Sequence, residues 1–186
     1  MTSVVRVNVN LAGVIYRTLD LGAQAIVVPH INTAEEARSV VQASKFHPLG
    51  QRGMYSSRQG IGVDNYYNKA NSETLSIILI EDIIAIENLS EILTVEGIDV
   101  FFVAAGDLSQ SMGLMGQGSH PDVQSTVDNA ITQIAKVGKV AGVIAHESTL
   151  ERYVDKGARF ILTPWVPWLE EGAKSYLDKV ASFNYK

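Results

Sequence analysis

Two stretches, LDLGAQAIVVP (residues 19–29) and VDKGARFILTP (residues 154–164), carry Asp, Gly, Ala, Ile and Pro at matching places. Each reads as the end of a helix, a glycine joint and a short apolar strand. Glycine recurs at the same kind of joint at Gly22, Gly97, Gly138 and Gly157, where a left-handed helix end needs a residue without Cβ. A joint built four times, always between a helical segment and a strand, favours a (β/α) barrel over a doubly wound sheet. No glycine fingerprint of a dinucleotide fold opens a helix after the first strand.

Working outward, short β-branched runs recur at 3–8, 23–29, 75–81, 100–105, 140–145 and 159–164. They are continuous rather than alternating, as expected for strands of a parallel sheet with both faces covered. Helical patterns lie between them. TAEEARSVVQASK (33–45) opens with a capping-box signal, Thr33 followed by Glu36, and IIAIENLSEIL, PDVQSTVDNAITQIAKV and STLERYVDK are amphipathic. The order is βαβα throughout, within one domain spanning 1–186. Six strands are two short of a closed barrel, and a barrel of that type takes about 250 residues. The stretch from 46 to 62 is the one long loop, and loops of that length are often functional.

At 186 residues, with 46% hydrophobic and 19% charged residues, the chain can bury one substantial core. There is no apolar run of the roughly 20 residues that a membrane helix needs, and no signal-peptide pattern at the N-terminus, so the expectation is a cytoplasmic protein with no membrane partner. The absence of cysteine excludes disulfides, thiolate catalysis and sulfur-ligated zinc, and a net charge of −5 without a basic cluster argues against nucleic acid.

In a parallel barrel the carboxyl ends of the strands share the site face. Those ends offer Arg6, His30, Glu81, Ala105 to Asp107, His146 and Trp165. An Asp and a Glu with open positions form a hard-oxygen site suited to magnesium or manganese. No lysine stands at a strand end, which disfavours Schiff-base chemistry. There are plainer alternatives: Asp107 could N-cap a short helix, Glu81 and Asp82 could stabilise the start of IIAIENL, and the histidines could be structural. Arg6, inside an apolar strand, calls for an anion if buried. The glycine-rich GLMGQGSHP (113–121) lacks the lysine of a phosphate loop.

VVRV, LDLGAQAIVVPHINTAEEARSVVQASKFHPLGQRG, KANSETLSIILIE, AIENLSEILTVEGIDVFFVAAGDLSQSMG and GQGSHPDV, in this order over nearly the whole chain, resemble the HpcH/HpaI family of metal-dependent aldolases. Its members include 4-hydroxy-2-oxoheptanedioate and 2-keto-3-deoxy sugar-acid aldolases. The resemblance implies a TIM-barrel-type (β/α)8 fold and class II reversible cleavage of a 2-keto-4-hydroxy acid into pyruvate and an aldehyde. It implies a divalent cation, magnesium or manganese with cobalt as a further option, on Glu81 and Asp107. It further implies Arg6 supporting charge on the keto oxygen, Asp20 tuning the catalytic base, and the amides of Gly106 and Asp107 holding the pyruvate carboxylate.

The resemblance also implies a histidine base in a D-x-E-H-like motif on a strand ahead of VVR. The chain starts at what corresponds to the third strand, so the expectation is a barrel shortened by two strands, with His30 or His146 as surrogate proton acceptors. Ala104 and Ala105 replace the GP of the family's GPxDLS turn, Leu79 takes a polar position, and TPWVPW (163–168) sets two tryptophans where a Gly-x-Asp-like turn is usual. The resemblance implies a homo-oligomer with exchanged helices. A non-catalytic pyruvate- and metal-binding remnant, or a subunit completed by a partner, is the rival reading. An acyl-CoA lyase is weaker, for want of a basic patch.

Overall fold

The computed structural model of the chain describes residues 1–55 and 57–183. Six strands, β1 (Val4–Arg6), β2 (Ala25–Val28), β3 (Leu75–Ile80), β4 (Val100–Val103), β5 (Ala141–Ile144) and β6 (Ala158–Leu162), form one sheet in the order β1-β2-β3-β4-β5-β6. All neighbouring pairs are parallel. A doubly wound sheet reverses its order at a switch point; this one never does, and it curls as a half barrel.

Helices return the chain from each strand end to the next strand start. They are α1 (Ala12–Asp20), α2 (Ala34–Ser44), α3 (Tyr66–Glu73), α4 (Ile83–Glu87), α5 (Leu89–Ile92), α6 (Ala105–Ser111), α7 (Pro121–Lys136), α8 (Glu147–Asp155) and α9 (Val166–Ala181). The capping box at Thr33 and Glu36 is formed as expected. IIAIENLSEIL, read as one helix, is broken at Asn88, whose side-chain Nδ2 donates to Asn32 O at 2.9 Å. The Gly22 joint marked the end of α1, whose start has no side-chain cap, while the sequence pattern missed α3 and α9, the latter burying no residue on any face. Among the described residues no helix is long and apolar enough to cross a membrane.

Strand alternation sorts the core into two layers. Ile26, Val28, Ile78, Ile80, Phe101 and Val103 face the helices and join the main cluster. Ala25, Ile77, Leu79, Val100 and Phe102 face the concave side with Val27 and Phe160. Gly142 lies on that same concave side. A Cβ there would come within 2.6 Å of Phe102 Cδ2, so the close approach of β4 and β5 requires glycine. The joints at Gly22, Gly97, Gly138 and Gly157 all have positive φ, from 77° to 114°, so the repeated α-turn-β unit is real.

Candidate active site

Alternation continued one residue past a strand decides which side chains reach the site. Along β3, Leu75, Ile77 and Leu79 point to the concave side, and Glu81 follows in phase. In β1, Val4 and Arg6 share that side, as do Val100, Phe102 and Ala104 from β4. The result is a concave cavity of about 470 Å³ at the carboxyl ends of the strands, lined by Arg6, Glu81, Gly106 and Asp107 against an apolar wall that includes Val27, Leu79, Phe102 and Phe160.

Glu81 is the buried member, with its side chain 1% exposed. Its Oε1 accepts the His30 N–H at 2.9 Å, and the His30 Nδ1 lies 3.3 Å away. Arg6 Nη2 approaches Oε2 at 3.8 Å. Burial raises the Glu81 carboxyl above its ordinary value of 4.5; the charge of Asp107 adds to the rise, while His30 and Arg6 oppose it. The neighbouring Asp82 caps α4, its Oδ1 accepting Ile84 N–H at 2.8 Å. Capping therefore falls to Asp82, and Glu81 is left for the cavity.

His30 holds φ of 55°, a conformation uncommon outside glycine. Its amide, the group that grips Glu81, was not legible in the sequence, because a backbone donor has no side-chain signature.

Asp107 does not N-cap α6; Ala104 occupies that position, and Asp107 lies in the first turn. The first intrahelical bond runs from Leu108 N–H to Ala104 O, which leaves the amides of Gly106 and Asp107 without intrahelical acceptors. Gly106 has no positive φ, and a Cβ on it would meet nothing within 4 Å. Neither backbone strain nor protein packing demands glycine there, and the surface above it is open for a ligand.

One expectation needs correction, and one residue lies outside this cluster. Arg6 is not a buried arginine: β1 is an edge strand with every residue exposed, and the Arg6 side chain is 56% exposed. It still meets an anion, because it leans onto the concave side toward Glu81. Asp20 is not brought to this cluster. Ser3, at the start of β1, hydrogen-bonds Gly22 O through its Oγ and accepts Gln24 N–H on its carbonyl, so the end of α1 sits at the amino-terminal end of the sheet. There Asp20 Oδ1 accepts from Arg52 Nη2 at 2.7 Å, with both side chains buried.

The 46–62 loop that supplies Arg52, apart from residue 56, which lies outside the described residues, is therefore at the opposite end from Glu81. Trp165 and Trp168 are exposed at the start of α9 and do not line the cavity. His120 N-caps α7, its Nδ1 accepting Asp122 N–H at 3.2 Å, a structural role. His146 precedes α8 and lines a neighbouring cleft.

Among the described residues no three His, Asp or Glu side chains form a metal cage. Two carboxylates nevertheless share the cavity, one buried and with its pKa raised partly by the other. Such a pair favours a divalent cation that leaves coordination positions for substrate oxygen. The cost of burying Glu81 beside Asp107 gives a pH test on metal-free protein. A carboxyl whose folded pKa is raised loses stability as pH rises from its unfolded value through the folded one. Glu81→Gln protein in EDTA is expected to melt at a higher temperature than wild type at pH 7.5, with the gain vanishing below pH about 4.5. A lower melting temperature at pH 7.5 would show that the ionised carboxylate is already compensated within the chain.

Residues 1–164 match the HpcH/HpaI aldolase/citrate lyase family. The hydroxypyruvate/pyruvate aldolase of Roseobacter denitrificans is 38% identical over 163 residues, covering 85% of this chain and 64% of that protein. The 2-keto-3-deoxy-L-rhamnonate aldolase of Salmonella dublin is 40% identical over 153 residues, covering 79% of this chain and 57% of that protein. The chain thus spans about three fifths of the length of the curated relatives it matches. A crystal structure of an HpcH/HpaI aldolase/citrate lyase family protein from Burkholderia cenocepacia J2315 superposes with a TM-score of 0.86 at 29% identity, over 96% of this chain and 73% of the other.

Proposed function

We propose, from the premise that the chain belongs to the HpcH/HpaI aldolase/citrate lyase family, that it works as a divalent-metal-dependent pyruvate aldolase. The substrate class is a 2-keto-4-hydroxy acid, cleaved reversibly to pyruvate and an aldehyde. The observation that carries this reading is the pairing of buried Glu81, which accepts the His30 amide and has Arg6 3.8 Å away, with Asp107 across one cavity. Named relatives at 38% and 40% identity are aldolases of keto acids, which supports it.

Glu81 and Asp107 would hold the cation, magnesium or manganese by the hardness of the oxygen donors. When bound, it supplies a Lewis acid for the keto oxygen. The chain's own residues do the rest. The Gly106 and Asp107 amides orient the substrate carboxylate. The Arg6 guanidinium, open to the cavity, stabilises negative charge as it develops on the keto oxygen. Cleavage passes the proton of the C4 hydroxyl to water or to a surrogate imidazole such as His30, breaks C3–C4, moves that electron pair into the enolate and returns a proton from the same acceptor at C3. The apolar wall around Leu79 and Phe102 keeps water from the enolate.

Exchange of the pyruvate methyl protons for deuterium, followed by NMR with magnesium or manganese and then with excess EDTA, tests the enolisation half-reaction without an aldehyde. Metal-dependent exchange is expected; its absence would end the reading. The rival, pyruvate and metal binding without turnover, draws on the cavity lining, which among the described residues includes no histidine. A positioned base is worth about 10²- to 10⁴-fold. The rival predicts pyruvate-induced change in bound Mn²⁺ relaxation with no exchange.

Self-association belongs to the same proposal. Trp165, Trp168, Leu169 and Leu177 of the α9 region are all more than half exposed, apolar exposure of the kind that marks association surfaces. Sedimentation equilibrium is expected to give a homo-oligomer, and a monomer at micromolar concentration would remove this part.

A further inference from the structure

We infer that Ser111, which does not itself line the cavity, sets the spacing of Glu81 and Asp107 by tying the turn that carries one to the helix that carries the other. The inference rests on the metal-site reading above and adds to it a positioning residue that holds the two carboxylates in register before a cation arrives. Ser111 Oγ accepts the Ile83 N–H at 2.8 Å. Ile83 is the first residue of α4 and follows Glu81 by two positions. Ser111 is the last residue of α6, about one helical turn after Asp107.

The amide that Ser111 serves has no acceptor of its own. The first N–H groups of a helix lack intrahelical partners, and the cap residue of α4, Asp82, turns its Oδ1 to the Ile84 N–H. The Ile83 N–H is left over, and its acceptor comes from 28 residues further along the chain. A local cap would stabilise α4 alone. An acceptor on α6 also joins the two segments.

Place in the sheet gives that bond its leverage. The ladder between β3 and β4 ends where the Ala104 N–H donates to Ile80 O at 3.1 Å, and Glu81 and Asp107 both lie past it. On the β2 side, the Glu81 turn is held by the His30 N–H on Glu81 Oε1 and by Asn88 Nδ2 on Asn32 O, each at 2.9 Å. On the β4 side the tie is Ser111. The two carboxylates face one cavity and interact across it. When both are ionised and no cation lies between them, their repulsion acts to move α6, a helix of seven residues, away from Glu81. The Ser111 bond opposes that movement. Without it, binding must supply the work of drawing Asp107 into place, and affinity falls by that amount.

The test is the Mn²⁺ affinity of otherwise metal-free protein, read from the paramagnetic resonance of free Mn²⁺, for wild type, Ser111→Ala, Ser111→Thr and Ser44→Ala. Ser44, in the last turn of α2, shares a buried hydrogen bond with Ser76 at 2.8 Å and lines no part of the cavity. Ser44→Ala therefore removes a neutral bond of the same kind elsewhere. Ser111→Ala is expected to bind Mn²⁺ about three- to tenfold more weakly, the worth of one neutral hydrogen bond. Ser111→Thr keeps the hydroxyl and is expected to bind within about twofold of wild type, and Ser44→Ala to melt earlier with its affinity unchanged. A bond that only stabilised the fold would count equally with and without the cation, and its loss would leave affinity per folded molecule alone. Unchanged affinity in Ser111→Ala, a loss that Ser111→Thr does not restore, or an equal loss in Ser44→Ala overturns the inference. Wild type that takes up no Mn²⁺ removes the metal-site reading and the inference together, whereas uptake indifferent to Ser111 removes the inference alone. Uptake that depends on Ser111 without pyruvate deuterium exchange keeps the inference and ends the aldolase reading.

Discussion

Asp107→Asn is expected to lower metal-dependent deuterium exchange of pyruvate by about 10³-fold or more at fixed metal concentration, with the melting temperature of the metal-free protein nearly unchanged. Asparagine keeps the size of the side chain and its place in the first turn of α6, so packing is preserved. What goes is one of two negative charges facing the cavity. A cation held by Glu81 alone binds more weakly and polarises substrate less well. Several kcal/mol of transition-state stabilisation are at stake in such a site, and about 1.4 kcal/mol is a factor of ten. If Asp107 served only as a first-turn charge, the variant would cost about 0.3–1 kcal/mol of stability through the helix dipole and would leave exchange within a few-fold of wild type. The two outcomes lie far apart, and a single exchange time course distinguishes them.

The six strands were legible because a parallel sheet covered on both sides needs no polar alternation, and runs such as LSIILIE and VFFVAA have no other comfortable place in a chain of this size. Glu81 was legible for a related reason: it ends a run whose odd positions all face one way, so its side chain emerges in phase with Leu75, Ile77 and Leu79. Arg6 was only half legible. Its apolar neighbours suggested an interior strand, but β1 is an edge strand of the described sheet, and nothing in VVRVN distinguishes the two. The His30 amide, the Arg152 contact with Gln124 and the site of Asp20 were hidden because each depends on tertiary meeting. An amide carries no residue code, Arg152 in STLERYVDK reads as an ordinary solvated face until α7 brings Gln124 to it, and Asp20, read at a helix end, meets Arg52 only once the 46–62 loop folds back against α1. In α9 local pattern failed differently. Its apolar residues are present, but the described structure gives them no face to bury, so amphipathicity pointed to no partner.

Asp20→Asn is expected to cost about 3–5 kcal/mol of unfolding free energy, the usual penalty for stranding one member of a buried ion pair. Arg52 is fully buried, lies over the Phe46 ring at 4.6 Å and has Asp20 as its carboxylate partner at 2.7 Å. An amide at position 20 still accepts a hydrogen bond but no longer neutralises the guanidinium. The double variant Asp20→Leu with Arg52→Met is expected to recover most of the loss, since well-packed apolar residues often replace a buried pair at little cost. Urea unfolding of the singles and the double closes the cycle. The same proteins decide what Asp20 does for chemistry. Asp20 is at the amino-terminal end of the sheet and Glu81 at the carboxyl end, so within one chain the exchange rate per folded molecule should not change in Asp20→Asn, and neither should its pH profile. A shifted pH profile at unchanged unfolding free energy would instead mean that Asp20 acts on a site it cannot reach in its own chain, which requires a second copy to bring it there.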